Sequence, residues 1–118
     1  MARDPLRGAW LARAVRPAKV LLRARLRSTN QLAADLLESG QLTAPTLIAA
    51  SLQTAGRGQR ANTWWSDEGS LCATFVLAAD DTMPIGHVPL RAGLSVARVI
   101  EHLVPDAKVR VKWPNDVF

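Results

Sequence analysis

The chain has 118 residues, a formal net charge of +5, 48% apolar residues and 21% charged residues. Those values bound it to one domain at most, with a modest core. The single cysteine, Cys72, excludes an internal disulfide and a cysteine metal cluster. No apolar run approaches the ~18–20 residues that span a bilayer, so no membrane partner is expected. The basicity is local: residues 1–27 hold eight Lys/Arg against one Asp, and residues 28–118 hold seven against nine Asp/Glu. Bulk charge after Arg27 therefore gives no reason to expect a nucleic-acid ligand. The cysteine usage fits a reducing, cytoplasmic setting.

Residues 1–19 read as a basic lead-in. Leu6, Trp10 and Ala14 recur at helical spacing among Arg3, Arg7, Arg13 and Arg16. A transit peptide and a nucleic-acid or membrane-surface arm are the other readings, and the lack of serine before Ser28 counts against the first. From Lys19 the pattern changes to period two. Val20, Leu22, Ala24 and Leu26 predict a strand with one buried face. Ser28 and Gln31 fit a capping box, Leu32, Ala33, Leu36 and Leu37 make a helical stripe, and Gly40 is a natural stop. Residues 46–52 read as a buried strand, 53–64 as an irregular loop and 71–79 as the next strand, with Cys72 inert in the core. A turn over 80–86 leads to a helix begun by Pro89 and ended by Pro105. Its predicted face is Gly93, Val96, Ala97, Ile100, Leu103 and Val104. Val109 and Val111 predict a strand running into a turn at Trp113–Asp116, and Val117-Phe118 opens another. The order is β-α-β-loop-β-α-β. His87 and His102 read as surface or capping residues, and Trp10 and Trp65 as packing residues.

Two clusters carry the chemistry. Gln53 to Trp64 reads Q-T-A-G-R-G-Q-R-A-N-T-W, and Lys112 to Asp116 reads K-W-P-N-D. Glycines let backbone N–H groups converge on one spot, and Arg57 and Arg60 bring positive charge to it. Gly56 to Ala61 formally matches the dinucleotide fingerprint, but that motif needs a helix directly after it, and the segment to Leu71 leaves no room for one. No G-K-[S/T] follows, which excludes a Walker A loop. Joining a carboxylate to a nucleotide α-phosphate would use such a cluster, because pre-placed cations and N–H donors offset the charge that accumulates on the phosphoryl oxygens. Arg57, Arg60 and Lys112 are the candidates. The two clusters are expected to flank one small-molecule site.

Ser28-Thr29-Asn30, Gln53-Thr-Ala-Gly-Arg-Gly58 with Trp64 and Gly69, and Lys112-Trp-Pro-Asn-Asp116 resemble the three blocks of biotin–protein ligases, in that family's order. The resemblance covers residues 20–118. It implies an α+β fold, with a mixed, largely antiparallel sheet packed with helices, like class II aminoacyl-tRNA synthetases. It implies ATP-dependent activation of biotin to biotinyl-5′-AMP with Mg²⁺, then transfer to a lysine of a biotin carboxyl carrier domain. Ser28, Thr29, Asn30, Gln53, Arg57, Gly58 and Gln59 would bind biotin. Arg57, Arg60, Lys112 and Asn115 would bind the adenylate. Arg57, Lys112 and Asp116 would be catalytic, with Asp116 receiving the incoming lysine amine. Metal ligands are left open, and a homodimer is compatible with the resemblance.

The chain departs from the family pattern in places. The family loop often reads G-R-G-R-R-G-R; here Gln59, Ala61 and Asn62 replace arginine, glycine and arginine. The uncharged Gln59 implies looser retention of the adenylate. Asp67 stands where proline is common. The expectation is that 20–118 is the N-terminal part of a catalytic domain, incomplete at its C-terminus and weak or inactive alone. Residues 1–19 are too short for a DNA-binding domain, which implies a non-regulatory ligase. The rival readings are a lipoate or octanoate ligase or transferase of the same fold, a basic nucleic-acid-binding module, and a folded remnant without activity.

Overall fold

The structure is a computed structural model that describes residues 19–79, 81 and 84–118. The readings of residues 1–18, including the Leu6–Trp10–Ala14 stripe, and of the turn residues Asp80, Thr82 and Met83 lie outside the described residues. The chain divides into two compact units, one within Met1–Ala78 and one within Ala79–Phe118.

The first unit is built on a three-stranded sheet of order β1-β2-β5, with β1 at Lys19–Leu26, β2 at Thr46–Gln53 and β5 at Cys72–Val76. β1 and β2 are parallel, in a register that sets Leu21 beside Ile48, and β2 and β5 are antiparallel. Parallel neighbours need a crossover. Helix α1, Thr29–Glu38, supplies it. The core cluster is Ala33, Leu42 and Ile48, with Leu21, Leu26, Leu32, Leu36 and Val76 packed against it. Ile48 is fully buried, and burying such a side chain stabilises by about 1.5–3 kcal/mol. The first five residues of β2 are all buried, so this central strand is covered on both faces.

The details correct several expectations. Leu21 rather than Ala24 joins the core from β1, and Ala24 is exposed. Leu21 pairs with Ile48, so the face towards α1 carries the odd-numbered residues at the start of the strand. Arg23 and Arg25 are exposed along this edge strand of the described sheet, where charge discourages pairing with another chain. The capping box is half formed. The Ser28 hydroxyl accepts from the Gln31 N–H at 3.3 Å, but the Gln31 side chain donates forward to Asp35 at 2.8 Å, a carboxylate four residues along the same face. Leu37 is half exposed, off the buried stripe.

α1 stops as the sequence predicts. Gly40 takes φ +70°, its N–H donates to the Leu37 carbonyl at 3.1 Å, and Gln41 N–H donates to the Leu36 carbonyl at 2.9 Å. That pair of bonds is a Schellman closure. β5 ends at Val76, three residues short of the expected strand. The segment 53–64 is not wholly irregular: Gly56–Arg57 (β3) and Thr63–Trp64 (β4) pair antiparallel around a 3-10 turn at Gln59–Ala61.

In the second unit, helix α2 at Val88–Leu103 has Pro89 in its first turn and ends just before Val104 and Pro105, as expected. It packs on a hairpin of β6, Val111–Lys112, and β7, Asp116–Val117. Gly93 faces the hairpin: a Cβ there would be in ordinary contact with Val111 Cγ1 at 3.4 Å and Val117 Cγ2 at 3.7 Å. Gly93 and Ala97 are buried, but Val96, Leu103 and Val104, expected on the same face, are exposed. The regular ladder begins at Val111, with Arg110 and Phe118 exchanging both backbone bonds beyond it.

A Cβ added at Gly40 or at Gly86 would meet nothing within 4 Å, but only Gly40 has positive φ. Gly40→Ala is expected to cost ~1 kcal/mol of unfolding free energy through backbone strain alone, while Gly86→Ala stays near zero. Urea denaturation of both variants checks this, and equal stabilities would contradict it.

Candidate ligand site

The mouth of α1 is where strand ends, a helix N-terminus and the glycine loop meet within the first unit. Ser28, the helix cap, is buried and its hydroxyl is committed to Gln31. Thr29 begins the helix. Its backbone N–H, which no residue of the first turn can satisfy, donates to Gln53 Oε1 at 2.7 Å. The Thr29 hydroxyl lies 3.0 Å from the same oxygen. A backbone N–H can only donate, so the Gln53 amide is fixed with its oxygen towards the helix and its NH₂ group turned away. The sequence singled out Thr29, Asn30 and Gln53, and the structure brings them together.

Gln53 is also clamped along its backbone. Its N–H donates to Ser66 Oγ at 3.0 Å, and the Ser66 hydroxyl lies 3.0 Å from the Gln53 carbonyl. The ladder with β1 continues past the strand, with Thr54 N–H donating to the Leu26 carbonyl and Ala55 N–H to the Arg27 carbonyl, both at 2.8 Å. The loop therefore leaves the sheet in a defined direction. Gly56 sits against Gln53: a Cβ there would be 2.9 Å from Gln53 Nε2 and 2.9 Å from the Trp64 carbonyl. Only glycine fits that spacing.

Beyond Gly56 the hairpin narrows to a tip. Gly58 N–H donates to the Asn62 carbonyl at 2.7 Å, and Asn62 N–H to the Gln59 carbonyl at 3.1 Å. Arg60 and Ala61 take φ of 55° and 65°, a left-handed conformation that costs a side-chain-bearing residue about 1–2 kcal/mol. Ala61 is the position where the pattern described above has glycine. Arg57, Gln59 and Arg60 are all exposed, which suits side chains that receive an anionic ligand. No helix follows this loop, so the dinucleotide fingerprint is a formal match only.

Two further residues carry the site without having been singled out by sequence. Ser66 follows the two tryptophans. Thr74, on β5, has its hydroxyl 2.8 Å from Thr29 Oγ1 and 2.5 Å from Asn30 Oδ1. The available signal was a lone threonine at the same parity as buried Cys72. Asp67 departs from a common proline for a visible reason: its N–H donates to Ser70 Oγ at 3.3 Å, a bond proline cannot make. Trp65, expected to pack, is 89% exposed.

Lys112, Asn115 and Asp116 belong to the second unit. Lys112 and Asp116 are direct partners across the β6–β7 hairpin, which places both side chains on one face, and Val111 and Val117 alternate to the face towards Gly93. Lys112, Trp113, Asn115 and Asp116 are exposed at the hairpin turn. Among the described residues, no three of His, Cys, Asp or Glu gather where they could hold a metal ion.

The model of the biotin/lipoate A/B protein ligase family matches residues 22–118. The bifunctional ligase/repressor BirA of Salmonella typhimurium is 38% identical over 94 residues, covering 77% of this chain and 28% of its own length. The biotin–protein ligase of Schizosaccharomyces pombe is 35% identical over 78 residues, covering 60% of this chain and 12% of its own length. Among solved structures, the Helicobacter pylori biotin acetyl coenzyme A carboxylase synthetase with bound biotinylated ATP superposes with a TM-score of 0.78 at 27% identity, covering 86% of this chain and 49% of that one. The Aquifex aeolicus biotin protein ligase in complex with biotin and ATP gives 0.73 at 30% identity, covering 85% and 41%. The chain thus spans 28% of the length of its BirA relatives. The α+β architecture is the class II aminoacyl-tRNA synthetase-like fold of these ligases. With the family match running from the first strand to the last residue, the chain belongs to the biotin/lipoate A/B protein ligase family.

Proposed function

We propose that this chain carries the biotin-binding part of a biotin–protein ligase, an enzyme that joins biotin to AMP and passes it to a lysine of a biotin carboxyl carrier domain in the cytoplasm. The observation that carries the reading is the Gln53 amide, locked by the Thr29 N–H so that it offers NH₂ donors beside the glycine loop. A cyclic urea such as the biotin head presents a carbonyl acceptor and needs fixed polar partners. The dithiolane of lipoate has no such acceptor, which favours biotin over lipoate. Ser28, Thr29, Asn30 and Gln53 would hold the head group, and Arg57, Gly58 and Gln59 would border the carboxylate.

The chemistry assigned to the charged residues follows from charge. When the biotin carboxylate attacks the α-phosphorus of ATP, negative charge grows on the phosphoryl oxygens and pyrophosphate departs. Arg57, Arg60 and Lys112 would offset that charge, and Asn115 would hydrogen-bond the nucleotide. The acceptor lysine must lose a proton to attack the resulting mixed anhydride, and Asp116 is the carboxylate assigned to orient it and take that proton. The described residues do not by themselves form a Mg²⁺ site. ATP-bound Mg²⁺ is held largely by phosphates and water.

Three outcomes test the reading. Gln53→Glu keeps an acceptor for the Thr29 N–H but replaces the outward donor with a second acceptor. Biotin affinity by calorimetry should fall ~10–100-fold, and unchanged affinity would contradict the donor assignment. Gly56→Ala would press a methyl group against Gln53 Nε2 and the Trp64 carbonyl, displacing both. Biotin binding should weaken by at least ~10-fold while the core stays folded by circular dichroism. Arg57→Ala should slow biotin-dependent pyrophosphate release by ~100-fold or more in the ligase that contains this chain, with biotin affinity changed far less. Tighter binding of lipoate than of biotin would overturn the choice of substrate.

A further inference from the structure

Thr74 stands on β5, across from the helix mouth. Its hydroxyl touches two groups of the site at once, Thr29 Oγ1 at 2.8 Å and Asn30 Oδ1 at 2.5 Å. A threonine hydroxyl has one proton, so it cannot donate to both. The distances decide between them. A 2.5 Å separation lies within the O–H···O range and below that of N–H···O, so the Asn30 atom at Thr74 is the amide oxygen and Thr74 donates to it. The Thr29 hydroxyl lies between Thr74 Oγ1 at 2.8 Å and Gln53 Oε1 at 3.0 Å, and Gln53 Oε1 also accepts from the Thr29 N–H at 2.7 Å.

We propose that Thr74 is a positioning residue of the ligand site: its hydroxyl fixes the Asn30 amide with Nδ2 as the free donor, as Thr29 does for Gln53. The proposal rests on the reading of this site as a biotin pocket. The two amides come from different elements, one at the first turn of α1 and one at the end of β2. Each has its oxygen held by a threonine and its NH₂ group without a partner among the described residues. Two such donors recognise a ligand that presents acceptors, and the ureido carbonyl fits that chemistry. Thr74 is half-buried and Asn30 is exposed. Nothing in the core depends on the Thr74 hydroxyl, because the core cluster is drawn from other residues.

The test compares Thr74→Val, which keeps the shape and removes the hydroxyl, with Thr74→Ser, which keeps the hydroxyl and removes a methyl. Biotin affinity of the chain by calorimetry should fall ~10-fold in the valine variant and stay within ~2-fold in the serine variant, with both melting within a few degrees of the parent. A valine variant that binds like the parent, or a serine variant as weak as valine, would overturn the proposal. A second readout needs no ligand: the two Asn30 side-chain amide protons, followed by NMR in the free chain. Their nitrogen should show a high 15N order parameter in the parent and in Thr74→Ser, where the amide oxygen is anchored, and a low one in Thr74→Val. Should the parent bind no biotin, the functional reading fails while this signature still decides the role of Thr74. An unchanged Asn30 order parameter in the valine variant would refute it.

Discussion

The hydrogen bond from the Thr29 N–H to Gln53 Oε1 is the constraint on which the rest of the site depends. It ties the first turn of α1 to the last residue of β2. It uses one of the orphan donors that every helix start carries. It also removes the two-fold ambiguity of a glutamine amide, because its partner can only donate. The consequences run outward from there. The Gln53 NH₂ group faces the loop, Gly56 must be glycine to lie beside it, and Ser66 holds the Gln53 backbone in place. A helix cap, a strand end and a loop thus become one arrangement of donors.

Charge enters on a different element. The loop tip places Arg57, Gln59 and Arg60 in the open, on a turn that holds Arg60 and Ala61 in left-handed conformations. The hydrogen-bonded amides of Gln53 and Asn30 at the sheet and the exposed guanidinium groups on a short hairpin are therefore separated along the chain. The second unit contributes its polar groups in another way. Lys112 and Asp116 are brought to one face by a tight hairpin whose other face, Val111 and Val117, packs on Gly93.

Much of this was legible from residues alone, and the failures have physical reasons. The α1 boundaries were readable because Ser28 and Gly40 are strong signals of start and stop, and both act as such in the structure. β2 was readable as a buried run between Pro45 and a polar loop. The buried face of β1 was misjudged because apolar side chains occupy both parities there, and only the register with Ile48 decides which face meets α1. The β3–β4 hairpin was missed because two-residue strands carry no periodicity. The α2 face was drawn too wide, since Gly93 and Ala97 alone are buried against a narrow hairpin. Within the candidate site, Thr29, Asn30 and Gln53 were singled out by a motif. Thr74 and Ser66 were not, because their importance lies in contacts 45 and 13 residues away in sequence.

The most direct measurement is a heteronuclear NMR titration of the isotope-labelled chain with biotin, observing backbone and side-chain amides together. The largest shifts should fall on the Gln53 and Asn30 side-chain amides, the Thr29 backbone amide and the Gly56–Gly58 backbone. Shifts confined to α2, or none in that set at saturating biotin, would contradict this reading of the site.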